Sequence, residues 1–222
     1  MSRPFVTLAL SLTFLMAVAA VCSATPSGLN NIPTADVVDT HLFVIQAFSQ
    51  FGEDKSPSWF AGAKYGVAER WEIGIDDLFT GPGSKTGPAL QTKYRLALPH
   101  RGALALGAAN LTSDTDRNGE IFPYAVASLP LGRSLRGHLG YSWQRDNAAW
   151  FIGADTSVTP KITLRADWTQ VMDGDESVTS LGFIAPLATR WLIEAWGSFP
   201  TADGAASDYI IKLDYLIPSD RG

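Results

Sequence analysis

Three histidines, His41, His100 and His138, are the only side chains in this sequence whose ordinary pKa suits a general base near neutral pH. Hydrolysis would need one of them beside a nucleophile and an orienting carboxylate. His100 lies in a Pro-His-Arg turn, His41 opens an extended segment, and His138 stands two residues from Arg136. None has a serine and an acid at a spacing that places them, so the sequence predicts no catalyst. A second chemistry is cation binding. Asp114 to Glu120 reads D-T-D-R-N-G-E, the first half of a calcium loop, in which alternating carboxylates and a sharp glycine gather oxygens round one ion. The twelfth position would be Ala125 rather than a bidentate glutamate, and Asn118-Gly119 is also an ordinary hairpin turn signal. The plain loop is the favoured reading and no cofactor is expected; weakly held calcium would fall to Asp114, Asp116 and Asn118, with Asp173, Asp175 and Glu176 as a second acidic group. No P-loop, dinucleotide fingerprint or paired Cys/His metal site is present.

The richest constellation is a set of charges spaced two apart within apolar surroundings, and a strand period explains it. From Trp150 to Val158, Trp150, Ile152, Ala154, Thr156 and Val158 share one parity, while Phe151, Gly153, Asp155 and Ser157 share the other. Past Pro160 and Lys161 the alternation resumes, with Ile162, Leu164, Ala166 and Trp168 against Thr163, Arg165, Asp167 and Thr169. A hairpin with a three-residue loop pairs Val158 with Ile162 and Asp155 with Arg165, giving one apolar face and one ion-pairing face. Extending the same parity along the chain gathers Lys64, Glu72, Asp76, Lys93, Arg95, Arg136, His138, Asp155, Arg165, Asp167, Glu194, Lys212 and Asp214 on the charged face.

Twelve segments have strand character: 40–50, 58–67, 71–79, 89–98, 102–111, 121–129, 135–144, 150–158, 162–170, 177–185, 191–199 and 209–217. Most match the length of about 9–11 residues that crosses a bilayer when tilted. Short connections (68–70, 99–101, 130–134, 159–161 and 186–190) interleave with longer ones (51–57, 80–88, 112–120, 145–149, 171–176 and 200–208). The long set holds eleven acids and four bases, whereas each short turn carries one base: Arg70, Arg101, Arg133, Lys161 and Arg190. This pattern predicts an all-β fold, an antiparallel up-and-down transmembrane β-barrel of about twelve strands, with both ends on the short-turn, periplasmic side. Aromatics at strand ends form the expected belts: Trp59, Phe79, Phe122, Trp143, Trp150, Trp168, Phe199 and Tyr209 near the long loops, Tyr65, Trp71, Trp191 and Tyr215 near the short turns. The competing architecture is a soluble exported sandwich or barrel binding an apolar ligand, which would tolerate charges at Val67, Ile73, Ile75, Leu96, Leu139 and Ile152; none is there, though Asp77 is outward by parity. Two strands read poorly: 103–111 is apolar on both faces, and the first alternates weakly.

Residues 1–24 have the layout of a secretory signal peptide: Arg3, an apolar run from Phe5 to Val21, then Cys22, Ser23 and Ala24. An N-terminal segment over 25–39, the barrel domain over 40–217 and a tail over 218–222 complete the predicted organisation. Cys22 is the only cysteine, so a chain cleaved after Ala24 forms no disulfide. That chain has 16 basic and 22 acidic residues, which argues against nucleic acid as a partner. Ser27 to Val37, S-G-L-N-N-I-P-T-A-D-V, is punctuated by Gly and Pro. It resembles the mature start of small outer-membrane barrels, including YjbH-type proteins, a resemblance that implies a link to exopolysaccharide export. The charged face implies a passive, weakly selective pore for small polar solutes, with outer-membrane lipid around it. The alternatives are a lumen filled by buried ion pairs and a structural or export-accessory barrel; oligomeric state is left open.

Overall fold

The computed structural model describes residues 27–52, 55–80, 88–112, 120–144, 148–171 and 176–219, with the side chains at 55, 77–80 and 171 excluded. Twelve strands follow one another: β1 Leu42–Gly52, β2 Lys55–Ala68, β3 Trp71–Thr80, β4 Ala89–Ala97, β5 Ala103–Leu111, β6 Phe122–Pro130, β7 Leu135–Ser142, β8 Ala149–Thr159, β9 Ile162–Val171, β10 Ser177–Ala188, β11 Trp191–Pro200 and β12 Asp208–Pro218. Each pairs antiparallel with its neighbours in sequence, and β12 closes onto β1 through a ladder from Leu42↔Pro218 to Gly52↔Asp208. One closed sheet satisfies every edge, as a barrel in lipid must and a two-sheet sandwich does not.

Alternation decides which face each residue takes. Ile73, Leu106, Leu139, Ile152, Leu181 and Ile211 are between 42 and 55% exposed, so large apolar side chains coat the outside of the barrel. In a protein surrounded by water that coat would be a liability; around a bilayer-spanning barrel it is the solvent contact. The outward aromatics follow it: Trp59, Trp71, Trp143, Trp150, Trp168, Trp191, Phe199 and Tyr209 are exposed, and Tyr65 and Tyr215 are half-buried with the same parity. Trp191 stacks obliquely on Tyr215 at 4.7 Å, and Tyr141 lies 4.8 Å from Trp150, so neighbouring strands share belt residues. The side chain of Phe79, like that of Asp77, lies outside the described residues.

Phe122 is a correction. It is the inward member of β6, packed 5.6 Å from Tyr124 against a buried apolar cluster, because Pro123, Ala125 and Ala127 hold the outward parity. The β8–β9 turn also differs from the three-residue loop expected. Asp155↔Arg165 and Ser157↔Thr163 keep the register, but Thr159 rather than Val158 faces Ile162, leaving a bulge at Val158 and a two-residue turn at Pro160 and Lys161. Thr159 Oγ1 accepts the backbone N–H of Lys161 and of Ile162, which anchors that tighter turn. The two poorly alternating strands resolve simply: Val44 and Gln46 face inward from β1, and Ala103 and Ala105 from β5.

Candidate functional site

The lumen is occupied by the chain's own N-terminal segment. Residues 27–39 lie inside the barrel, with Ser27, Leu29, Ile32, Thr34, Ala35 and Val38 buried. From β1 the segment leads up from the short-turn side, where Thr40 bridges Gly66 and the His41 N–H reaches the Gly66 carbonyl at 2.8 Å. A Gly28↔Pro33 bridge closes a hairpin whose tip, Asn30 and Asn31, lies toward the long-loop side. Glycines in the wall make room. A Cβ at Gly66 would stand 2.1 Å from the Asp39 carbonyl oxygen and 2.5 Å from that of Val38, and one at Gly153 would stand 2.4 Å from Leu29 Cδ1.

Two kinds of contact seat the segment. Leu29, Ile32 and Ala35 join Ala103 and Ala105 of β5, Tyr124 and Val126 of β6 and Phe151 of β8 in an apolar cluster inside the barrel. Burying each Leu or Ile side chain is worth about 1.5–3 kcal/mol. The polar contacts are made by lumen-face charges named from the sequence. Lys93, 3% exposed, donates to the carbonyls of Ser27, Thr34 (3.2 Å) and Asp36 (2.6 Å). Glu72 accepts the Val38 N–H at 2.8 Å, Asp167 accepts the Asn30 N–H at 3.1 Å, Lys64 donates to Ser27 Oγ at 2.6 Å, and Arg136 pairs with Asp36 at 2.8 Å. At the hairpin tip the Asn31 amide donates to Ser180 Oγ (2.8 Å) and Ser198 Oγ (2.7 Å) and accepts from Trp196 Nε1 (3.0 Å).

The remaining charges pair along the wall. Arg165 binds Glu194 at 2.5 Å, both nearly inaccessible, and Lys212 joins Glu194 at 2.8 Å and Asp214 at 3.6 Å. Asp214 also accepts from Gln46, and Asp76 from Gln91. The ion pair expected between Asp155 and Arg165 is absent although their Cα atoms are partners. Arg136, across the β7–β8 ladder, offers Asp155 a two-point contact at 3.0 and 2.6 Å, geometry a single-point pair cannot match.

His138 corrects the expectation that no histidine has a serine and a carboxylate. Its Nδ1 lies 2.7 Å from Ser128 Oγ and its Nε2 3.2 Å from Asp155 Oδ2, the three residue types of a hydrolytic triad but with the two ring nitrogens exchanged, since a triad sets its serine on Nε2 and its carboxylate on Nδ1. The surroundings give this relay another job. Ser128 Oγ accepts the Ala35 N–H at 2.8 Å, His138 is 2% exposed, and Asp155 is held by Arg136, which in turn holds Asp36. Ala35–Ser128–His138–Asp155–Arg136–Asp36 is thus one chain of hydrogen bonds that begins and ends on the N-terminal segment. His41, expected to stand alone, lies 3.1 Å from the Tyr65 hydroxyl. His100 sits at φ 56° in the turn Pro99–Arg101. Asp114, Asp116 and Asn118, with Asp173 and Asp175, lie outside the described residues, and among the described residues no cluster of acids, histidines or cysteines could hold a metal.

Water-accessible space remains on both sides of the segment. Toward the long loops a cavity of about 310 Å³ is lined by the hairpin and by Lys64, Asp76, Gln91, Lys93, Trp196 and Lys212. Toward the short turns a larger one, about 500 Å³, is bounded by Asp36, Ser128, Asp155 and by basic residues that include Arg95. Gln46, Gln91, Ser128 and Trp196 contribute to these walls, and Ser180 and Ser198 hold Asn31, although sequence reasoning, attending to charge, passed over them.

No family model matches the sequence, and no curated protein matches it. Solved structures do resemble the fold. The KdgM porin in complex with disordered oligogalacturonate superposes with a TM-score of 0.62 at 10% identity, over 78% of this chain and 98% of that one. The NanC porin gives 0.56 at 10% identity, over 79% and 100%. An outer membrane channel from Pseudomonas putida gives 0.52 at 12% identity, over 87% and 99%. At such identity the likeness establishes the fold, that of a small outer-membrane β-barrel, and leaves function to this chain's own residues.

Proposed function

We propose that this protein is a passive, weakly selective outer-membrane channel for small polar solutes, narrowed by its own N-terminal segment. The observation that carries this reading is the closed barrel with an apolar exterior and a polar interior, holding water-accessible cavities on both sides of residues 27–39. Catalysis is the weaker reading, because the one triad-like relay spends its serine on the Ala35 N–H and is sealed by the segment. The YjbH-type resemblance lies in Gly28 to Ala35, within the segment that fills the lumen. This supports a second reading, an accessory barrel in polysaccharide export whose lumen stays closed.

Single-channel recording in planar bilayers separates the two. The full chain should give small, steady current steps. Gly66→Val should give larger ones, since its Cβ would stand 2.1 Å from the Asp39 carbonyl oxygen and must push the segment off the wall. Folded protein, migrating as a heat-modifiable band, that passes no current in either form would sink the channel reading in favour of the accessory one.

A further inference from the structure

The cavity on the short-turn side has the opposite sign to the chain around it. The protein carries a formal net charge of -5, yet six cationic side chains line this cavity: Arg95, Arg101, Arg133, Arg136, Lys161 and Arg165. They come from one contiguous arc of the wall, β4 to β9 and the turns between, so their fields add rather than cancel. The two carboxylates in the lining, Asp36 and Asp155, are both taken by Arg136. Among the described residues Arg95, Arg101, Arg133 and Lys161 have no acid within 4.0 Å. Arg165, 7% exposed, adds an Nε–H with no acceptor among the described residues. A volume of about 500 Å³ falls within the range of about 300–1,000 Å³ in which proteins hold small ligands.

The internal occupant shows what this cavity selects. Of the segment's side chains, the one carboxylate in the lining is Asp36, and it sits on Arg136, which also lines the cavity and whose side chain is 37% exposed. We propose that the cavity is a binding site for a soluble, multiply charged oxyanion, a solute bearing two or more carboxylate or phosphate groups, and that Asp36 is the internal carboxylate with which it competes for Arg136. Guanidinium forks suit the planar two-oxygen geometry of such groups, and several unpaired cations in one chamber favour a polyanion over a single charge. Bound ligand then weakens a tie that holds the N-terminal segment to the wall. The proposal rests on the channel reading only for the route by which the solute arrives.

Binding can be measured without conduction, by calorimetric titration of the full chain folded in detergent at low salt. Citrate should bind, acetate should bind more weakly, and sucrose should give no heat. Arg133 and Lys161 lie in exposed turns, make no ion pair with the segment and are not members of the apolar cluster. Their joint reversal, Arg133→Glu with Lys161→Glu, should weaken citrate at least about tenfold while leaving heat-modifiable folding intact. Asp36→Asn should strengthen citrate about two- to fivefold, the scale of a partly exposed ion pair released from competition. Citrate affinity equal in the wild type and the double variant, citrate no tighter than sucrose, or an Asp36→Asn protein that binds more weakly would each overturn the proposal. A protein that binds citrate yet passes no current keeps this site and loses the channel; one that conducts without binding does the reverse.

Discussion

The two cavities are lined by ionisable side chains drawn from the same face of the same sheet, yet they are chemically unlike. Toward the long loops the charges are engaged: Lys93 and Lys64 hold the N-terminal segment, Lys212 bridges Glu194 and Asp214, and Asp76 accepts from Gln91. Toward the short turns four cations face the cavity with no carboxylate within 4.0 Å among the described residues. A charge buried in a low-dielectric interior must be paired or it is not tolerated, whereas a charge beside water at a barrel mouth keeps its hydration. Depth in the lumen therefore separates residues that build the protein from residues that meet a solute.

Arg165 and Arg95 put that distinction to its severest test, because both were assigned to one lumen-facing set. Arg165→Glu would set a second carboxylate where Arg165 now meets Glu194 at 2.5 Å, with both partners nearly inaccessible. Breaking such a buried pair costs about 3–5 kcal/mol, and like charge adds to it. The expected outcome is failure to give a heat-modifiable folded band on refolding into detergent. A variant that folded normally would show that the deep charges are hydrated and that the contrast between the cavities is false.

Much of the barrel was legible because alternation is a local property: the period of two at Trp150 to Trp168 fixes two faces whatever lies beyond them. Within that hairpin the register failed only where one residue of bulge at Val158 changed the turn, which Pro160 and the Thr159 hydroxyl decide together. The contents of the lumen were another matter. Charge at a strand position says that the side chain faces away from lipid, and says nothing of whether water, another wall residue or an unpaired segment receives it. The signal that could have exposed the segment was apolar rather than ionic. Phe151, Tyr124 and Val126 fall on the inward parity, where a hydrated pore has no use for them, and Leu29, Ile32 and Ala35 offered the complement at the other end of the chain. Ser128 and Asp155 reach His138 across two strand ladders, a proximity no sequence spacing encodes.

The tip of the N-terminal hairpin sits between these extremes. Asn31→Ala removes two amide donations and the acceptor for Trp196, leaving Ser180, Ser198 and an indole N–H to find other partners. A loss of about 1–3 kcal/mol in docking follows, while the barrel ladders are untouched. Current traces should show longer or more frequent high-conductance intervals, from protein that still migrates as a folded, heat-modifiable band. Unaltered gating would mean that the tip does not hold the segment in place and that the apolar cluster alone does.

The smallest structural effect and the clearest functional one should come from Arg95→Glu. Arg95 lies two residues from buried Lys93 on β4 but half-exposed at the short-turn cavity, with no acid within 4.0 Å among the described residues. Removing a hydrated, unpaired cation changes stability by no more than about 0.5 kcal/mol. The field is another matter, since replacing a positive by a negative charge in a narrow cavity alters the local preference for ions directly. Reversal potentials under a potassium chloride gradient should move toward cation preference, with the larger shift at low salt, where screening over about 30 Å replaces screening over a few ångströms. An unchanged reversal potential in a folded, conducting variant would place Arg95 off the ion path. Conduction would then run along the mixed-charge side of the lumen, and the cationic cavity would be a side chamber rather than a section of the channel.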